Sequence, residues 1–327
     1  MIRFFRNSYI VQYVVIALLC IAIWIPSFIT QNVDVAYRNP VTPLYNLVAD
    51  ILDFWPYAML LFAFFLNAFE VLFFNSILAS NQIINKVNTL GAVVFLLVMN
   101  LTMEQTTFYP VLFASVFLLM FIHTLFSIYQ TPRPELYLLN AGFYLSLASM
   151  CWFPSLLLAL WGIIALGIIQ KGSLRLHLIP FIGLLFPYFF YFSVHFLMGD
   201  LLPRLHAYVD FFNNIELSIS GFTLFKAGLL IFLLLVVAIP LLTPRNYSFE
   251  KTISVRTKVT MPILLLFFGV FMLLLERNPM QTGVLFITLS ILFSYELAYL
   301  DGLRWSNVTF VVFLLAVLAF HYYPLFA

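Results

Sequence analysis

Residues 136–170 read LYLLNAGFYLSLASMCWFPSLLLALWGIIALGIIQ, 35 consecutive positions without one charged side chain. As a single helix this stretch would run about 50 Å at ~1.5 Å per residue, well beyond a hydrocarbon core about 30 Å thick. Pro154 pushes the residue before it out of helical geometry, so a break is expected at Cys151-Trp152-Phe153-Pro154. That leaves two short crossings or a re-entrant pair. Arg133 on one flank and Lys171 and Arg175 on the other favour two crossings, because both flanks then lie on the same basic side of a membrane.

Composition carries that reading to the whole chain. Of 327 residues, 64% are hydrophobic and 9% charged, with a mean hydropathy of +1.06, against about half and about a quarter in an ordinary soluble domain. A soluble enzyme, a disordered chain and a nucleic-acid-binding module are excluded. A net charge of +2 makes no field that would gather nucleic acid, so the first expected partner is the lipid bilayer. Cys20 and Cys151 both sit in apolar runs and cannot build a disulfide framework or a zinc site.

In hydrocarbon each backbone amide must be paired within its own segment, which leaves helices or a closed barrel. The apolar runs lack the alternation of a barrel strand, so the expected fold is all-α, a polytopic transmembrane helix bundle forming one domain over residues 1–327. Interruptions by charge, Pro and Asn place spans at 9–29, 56–78, 89–103, 108–129, 136–150, 153–170, 177–198, 222–242, 259–275, 280–297 and 307–323. That makes eleven, within a range of nine to twelve. Arg3 and Arg6 before the first span resemble the start of a secretory signal, but the apolar stretch Tyr9–Ile29 is longer than a signal core and is expected to remain as the first helix.

Basic residues set the orientation. With the N-terminus in the cytoplasm, that side holds Arg3, Arg6, Lys86, Arg133, Lys171, Arg175, Arg245, Lys251, Arg256, Lys258 and Arg304, eleven of the 15 cations. The opposite side keeps Arg38, Lys226, Arg204 and Arg277 and gathers Asp34, Asp50, Asp53, Glu104, Asp200, Asp210, Glu216 and Glu276. The basic loop at 243–258 is expected to anchor on anionic headgroups. Two external loops, 30–55 and 199–221, face one compartment. In the first, Leu44, Leu47, Val48, Ile51 and Leu52 make a helical stripe with Asp50 and Asp53 off it, the pattern of a helix lying in the interface.

Candidate chemistry divides between this outer surface and the bilayer interior. Carboxylates near His195, His206 and His321 could hold a divalent cation or supply a general base; external loops are also acidic simply because cations are kept inside. Asp34 stands first as a catalytic base, just beyond the first helix, with Arg38, Arg204, His206 and Asp210 as substrate-binding candidates. Arginine suits a lipid-borne phosphate because its fork donates two parallel hydrogen bonds. Within the spans, Glu70 is the one carboxylate well inside, with Asn67 one turn before it on the same face. An intramembrane acid is costly and marks a functional position by default; the alternative is a protonated or hydrogen-bonded Glu70 that joins two helices. Asn100, Asn140 and Ser146 suit helix-to-helix bonding. No Walker, GxSxG or HExxH motif occurs, and no cofactor signature is evident.

The stretch Leu139-Asn140-Ala141-Gly142-Phe143-Tyr144-Leu145-Ser146-Leu147-Ala148-Ser149 to Phe153-Pro154, with Gln170-Lys171-Gly172 after it, resembles a family of polytopic inner-membrane proteins from Bacteroidota. More loosely, the likeness runs from about residue 35 to residue 200, and it implies an inner-membrane location and a many-span architecture. The order of first helix, acidic external loop, interfacial helix and broken pair of short helices also resembles the GT-C class of integral membrane glycosyltransferases, which use polyprenyl-phosphate sugars. That resemblance implies glycosyl transfer or polysaccharide polymerisation at the periplasmic face, with Asp34 at the position of the loop base. The loop departs from the class in having no Asp-x-Asp or Glu-x-Asp pair. Two other functions fit the same sequence: a non-catalytic subunit of an envelope-assembly or secretion complex, bound to other membrane proteins, and a transporter or flippase relying on Glu70.

Overall fold

The computed structural model describes residues 2–30, 38–84, 88–101, 106–129, 131, 133–169, 174–213, 253–275, 283–299 and 303–326. Asp34, the span expected at 222–242 and most of the basic loop at 243–258 lie outside the described residues. Within them every regular element is helical. In chain order these are α1 (Ile2–Phe5), α2 (Ile10–Thr30), α3 (Pro43–Leu52), α4 (Pro56–Ser80), α5 (Leu90–Met99), α6 (Pro110–Ser127), α7 (Glu135–Cys151), a 3-10 turn (Phe153–Leu157), α8 (Leu158–Ile169), α9 (Leu174–Met198), α10 (Leu201–Asn213), α11 (Ile253–Leu275), α12 (Gly283–Tyr299) and α13 (Leu303–Phe326). Ile10–Thr30, Tyr57–Ser80, Pro110–Ser127 and Arg175–Met198 are each long and apolar enough to cross a bilayer unaided, and the chain is a helical membrane protein.

Long-range hydrogen bonds sort the helix ends into two groups. At a basic end, Arg6 donates to the Leu297 carbonyl at 2.8 Å, the Ile2 amide to Asn307 at 2.9 Å, Thr89 to the Phe5 carbonyl at 3.2 Å, and Lys258 to the Asn81 carbonyl at 3.0 Å. At an acidic end, Ser27 bonds Thr106, Tyr45 donates to the Phe108 carbonyl at 3.1 Å, and Val41 packs against Phe153 and Tyr208. Helices α3, α4, α6 and the 3-10 turn all carry Pro in their first turn. That position needs no amide donor and favours the fixed φ of proline. The break expected before Pro154 is present: Trp152 is extended, with φ −143° and ψ 100°, and separates α7 from the 3-10 turn that leads into α8.

Two elements differ from the sequence expectation. The stretch 89–103 forms only the ten-residue α5, which spans about 15 Å, half of the bilayer core. Asn100 ends it, donating both its backbone amide and its side-chain amide to the Leu96 carbonyl, at 3.2 and 2.9 Å. The stripe of α3 is also divided: Leu44, Val48 and Leu52 pack half-buried against the core, whereas Leu47 and Ile51 are 56% and 62% exposed, and the helix buries Tyr45 and Ala49, outside the stripe, instead. An apolar face on this helix has two apolar neighbours, protein and lipid, and hydrophobicity alone does not separate them.

The centre of the bundle is α5, apolar all round, against α12, which buries Thr288, Ser290, Ser294 and Glu296 along with its apolar side chains, as expected for elements enclosed by others. Helix α9 is the opposite case. Its large side chains Ile182, Leu185, Phe189 and Phe196 are exposed, and it is held mainly by α7. There a Cβ on Gly142 would collide with the Pro180 carbonyl, and one on Gly183 with the Leu139 carbonyl. The two backbones meet directly, the packing small residues permit in membranes.

Gly142→Leu and Gly183→Leu should each therefore separate α7 from α9 and destabilise the protein by about 1–3 kcal/mol or more. Thermal unfolding in detergent reads this as a fall in Tm. Gly167, whose Cβ would meet nothing within 4 Å, serves as the control: Gly167→Ala should leave Tm unchanged or slightly higher. Equal behaviour of all three variants would contradict the close crossing.

Candidate functional site

The acidic end contains a corner built where α9 turns into α10. Gly199 adopts φ +80°, the left-handed geometry that ends a helix without steric cost. The Asp200 amide then reaches the His195 carbonyl at 3.1 Å, and the Arg204 amide reaches the Asp200 carbonyl at 3.4 Å, starting α10 back alongside α9. The reversal sets Asp200 carboxylate oxygens 2.9 and 3.0 Å from His195 Nδ1, with Arg204 Nε 3.6 Å away from the same carboxylate. A carboxylate only accepts, so Nδ1 carries the proton and, in the neutral ring, Nε2 is left as an acceptor. The hydrogen bond from His195 holds the Asp200 carboxyl below the usual range, helped by the nearby His195 and Arg204 charges.

Behind this group stands an aromatic wall. Phe153 from the 3-10 turn meets Tyr208 and Phe211, both at 5.1 Å between ring centres, and Tyr208 also meets Phe192 and Tyr188. The Tyr191 ring lies 4.5 Å from the His195 ring. The Tyr188 hydroxyl bonds Ser149 at 2.8 Å. The hydroxyls of Tyr191 and Tyr208 are buried with no hydrogen-bond partner, and Tyr208 as a whole is 9% exposed. Burial beside Tyr188 and Tyr191 raises the Tyr208 phenol, so it stays a neutral donor. Flat apolar rings with unspent polar hydroxyls are groups able to meet a ligand that has both apolar faces and polar edges. Val41, just before α3, joins this cluster, so the stretch leading into α3 and the helix α10 both contribute.

The residues singled out in the sequence distribute unevenly around the corner. Arg38 pairs with Asp50 at 3.0 Å and with Asp53 at 2.8 Å in an exposed clasp against α3. Arg204 belongs to the His195–Asp200 group, while His206 and Asp210 lie exposed on α10 and take no part in it. The His195–Asp200 pair was missed as a unit by sequence reasoning. Its signal is a Gly directly before an acid and a His one turn earlier, which is legible only if that Gly is taken as a helix end. Among the described residues no three His, Cys, Asp or Glu side chains converge as a metal cage.

A second polar group lies inside the bundle. Glu70 and Asn67, in the middle turns of α4, meet Asn100 at the end of α5 and Ser115 on α6. Ser115 donates to Glu70, and the Asn100 side-chain amide donates to Asn67 Oδ1 at 3.1 Å. Glu70, Asn67 and Ser115 are wholly buried and Asn100 nearly so. Asn67 and Glu70 pair on one helix face already in the sequence; the part of Asn100 and Ser115 in the same centre depends on where α5 stops.

An unpartnered buried hydroxyl costs stability, so Tyr208→Phe should leave Tm unchanged or raised by about 1 kcal/mol equivalent while weakening whatever the corner binds. A marked loss of stability would show that the hydroxyl is already satisfied within the fold. The Asp200 carboxyl, held low, keeps its clasp from neutral into mildly acidic pH and releases it only as pH falls through the lowered value. Hydrogen exchange at the start of α10 reads that release, and loosening already at mildly acidic pH would contradict it.

Comparison with known proteins finds no matching family model, no matching curated protein and no matching solved structure.

Proposed function

We propose that this chain is an inner-membrane protein of about eleven spans, its N-terminus cytoplasmic, that transfers glycosyl groups from polyprenyl-phosphate-linked sugars at the periplasmic face. The observation that carries the reading is the α9–α10 corner. An Asp200-oriented imidazole stands beside Arg204 and an aromatic cluster with buried, unpartnered phenol hydroxyls. A sugar ring has apolar C–H faces and polar edges, matched by aromatic walls and hydroxyl handles.

Glycosyl transfer needs a base for the acceptor and positive charge for the departing phosphate. The acceptor hydroxyl oxygen bonds to the anomeric carbon while its proton passes to His195 Nε2. The bond from that carbon to the phosphate oxygen breaks with its electron pair on the phosphate, and Arg204 pairs with the charge. Asp200 holds the imidazole in the right tautomer and stabilises the imidazolium. Asp34 keeps the place that the GT-C layout gives a loop base, and Arg38, clasped by Asp50 and Asp53, would reach a phosphate only by exchanging partners. The interfacial α3 and the amphipathic α10 supply a surface on which a lipid-borne substrate arrives from the membrane plane.

The test is the pool of lipid-linked saccharides in a deletion strain complemented with variants. Deletion should enlarge the pool and the wild-type chain restore it. His195→Gln should lower turnover by about 100- to 10,000-fold, Arg204→Ala should fail similarly, and His206→Ala should complement. Asp34→Asn decides between two bases: loss there with a functional His195→Gln moves the base to the first loop. An unchanged pool in the deletion strain removes the glycosyl-transfer reading.

A further inference from the structure

We infer that Glu70, Asn67, Asn100 and Ser115 form a binding site for a hard monovalent cation, sodium, at the centre of the bundle. Three side-chain atoms of this group, Glu70 Oε2, Asn100 Oδ1 and Asn67 Nδ2, are buried and have no hydrogen-bond partner. Orphan buried polar atoms are rare in native proteins and ask for an occupant or a task. Here they occur together, beside a helix that stops at half depth. Irregular backbone inside a bilayer is tolerated where protein or a polar cavity surrounds it. The end of α5 lies beside Asn67 through the Asn100 side chain, so its unpaired last carbonyls and negative dipole end add to the local demand for positive charge.

Charge selects the occupant. Glu70 has no Lys, Arg or His within ion-pairing distance among the described residues, and an unpaired buried carboxylate is strongly disfavoured. One monovalent cation neutralises it; a divalent ion would leave a net charge in hydrocarbon. The available donors are carboxylate, amide and hydroxyl oxygens, which suit hard alkali cations and offer nothing to a soft transition metal. Broken helices ending beside a buried carboxyl recur where coupling ions bind in membrane proteins. A proton is the competing occupant: it neutralises Glu70 and turns Oε2 into a donor, but it leaves the lone pairs of Asn100 Oδ1 without a partner, which a cation ligated there would satisfy.

The site is tested on the purified full chain in nanodiscs by thermal unfolding in sodium chloride, potassium chloride and choline chloride at equal ionic strength, since a ligand bound only by the native state raises Tm with its concentration. Sodium should raise Tm over choline in a saturable way, with potassium weaker. Glu70→Gln, close in shape and uncharged, should keep the fold and lose the sodium shift, and Asn100→Ala should shift saturation to higher sodium. Equal Tm in all three salts for the wild type overturns the proposal and leaves a protonated Glu70; a sodium shift that persists in Glu70→Gln overturns it by placing the ion elsewhere. Neither readout involves sugar transfer, so the outcome is independent of the function proposed above.

Discussion

The absence of water around most of this backbone is the constraint on which the rest depends. Each amide in hydrocarbon must find its partner nearby, so long apolar helices result, and any place where a helix stops inside the bundle must be satisfied by side chains. The chain meets that demand in different ways at different places. Proline opens four elements at positions that have no intrahelical donor to lose. At the end of α5, Asn100 replaces the continuing helix with its own amide. At the end of α9, glycine curls the chain until the Asp200 carbonyl accepts the first amide bond of α10.

Both polar centres arise at such interruptions. The His195–Asp200–Arg204 group exists because α9 ends and reverses; the Glu70–Asn67–Asn100–Ser115 group exists because α5 ends early. A continuous helix would have carried the same side chains to other depths. The link between irregular backbone and concentrated polarity is therefore physical: carbonyls and amides released from a helix need partners, and the partners brought to meet them are the groups able to bind a ligand or move a proton.

Packing energetics differ between the interior and the edge. The α5–α12 pair fills the centre with large apolar side chains, as a soluble core does. Helix α9, exposed over most of its surface, is fixed instead by close backbone contact through Gly142 and Gly183, because lipid offers no hydrophobic gain for helix association. Its aromatic outer half then forms one side of the corner's aromatic cluster, so a glycine crossing at the edge of the bundle positions the site at its end.

Much was legible without coordinates. The apolar runs determine a helical membrane protein, since nothing else satisfies their backbone; Pro154 determines a break in the 136–170 stretch; and Glu70 with Asn67 stands out as a buried polar pair on one helix face. Tertiary structure alone decided that α5 stops at Met99, that Arg38 is spent on Asp50 and Asp53, that His206 and Asp210 stay outside the corner, and that His195 and Asp200 act together. Sequence patterns report local backbone need and one-dimensional spacing, which is why the elements were readable. Which polar groups meet depends on crossing depth and helix rotation, and those are set by contacts between residues far apart in the chain.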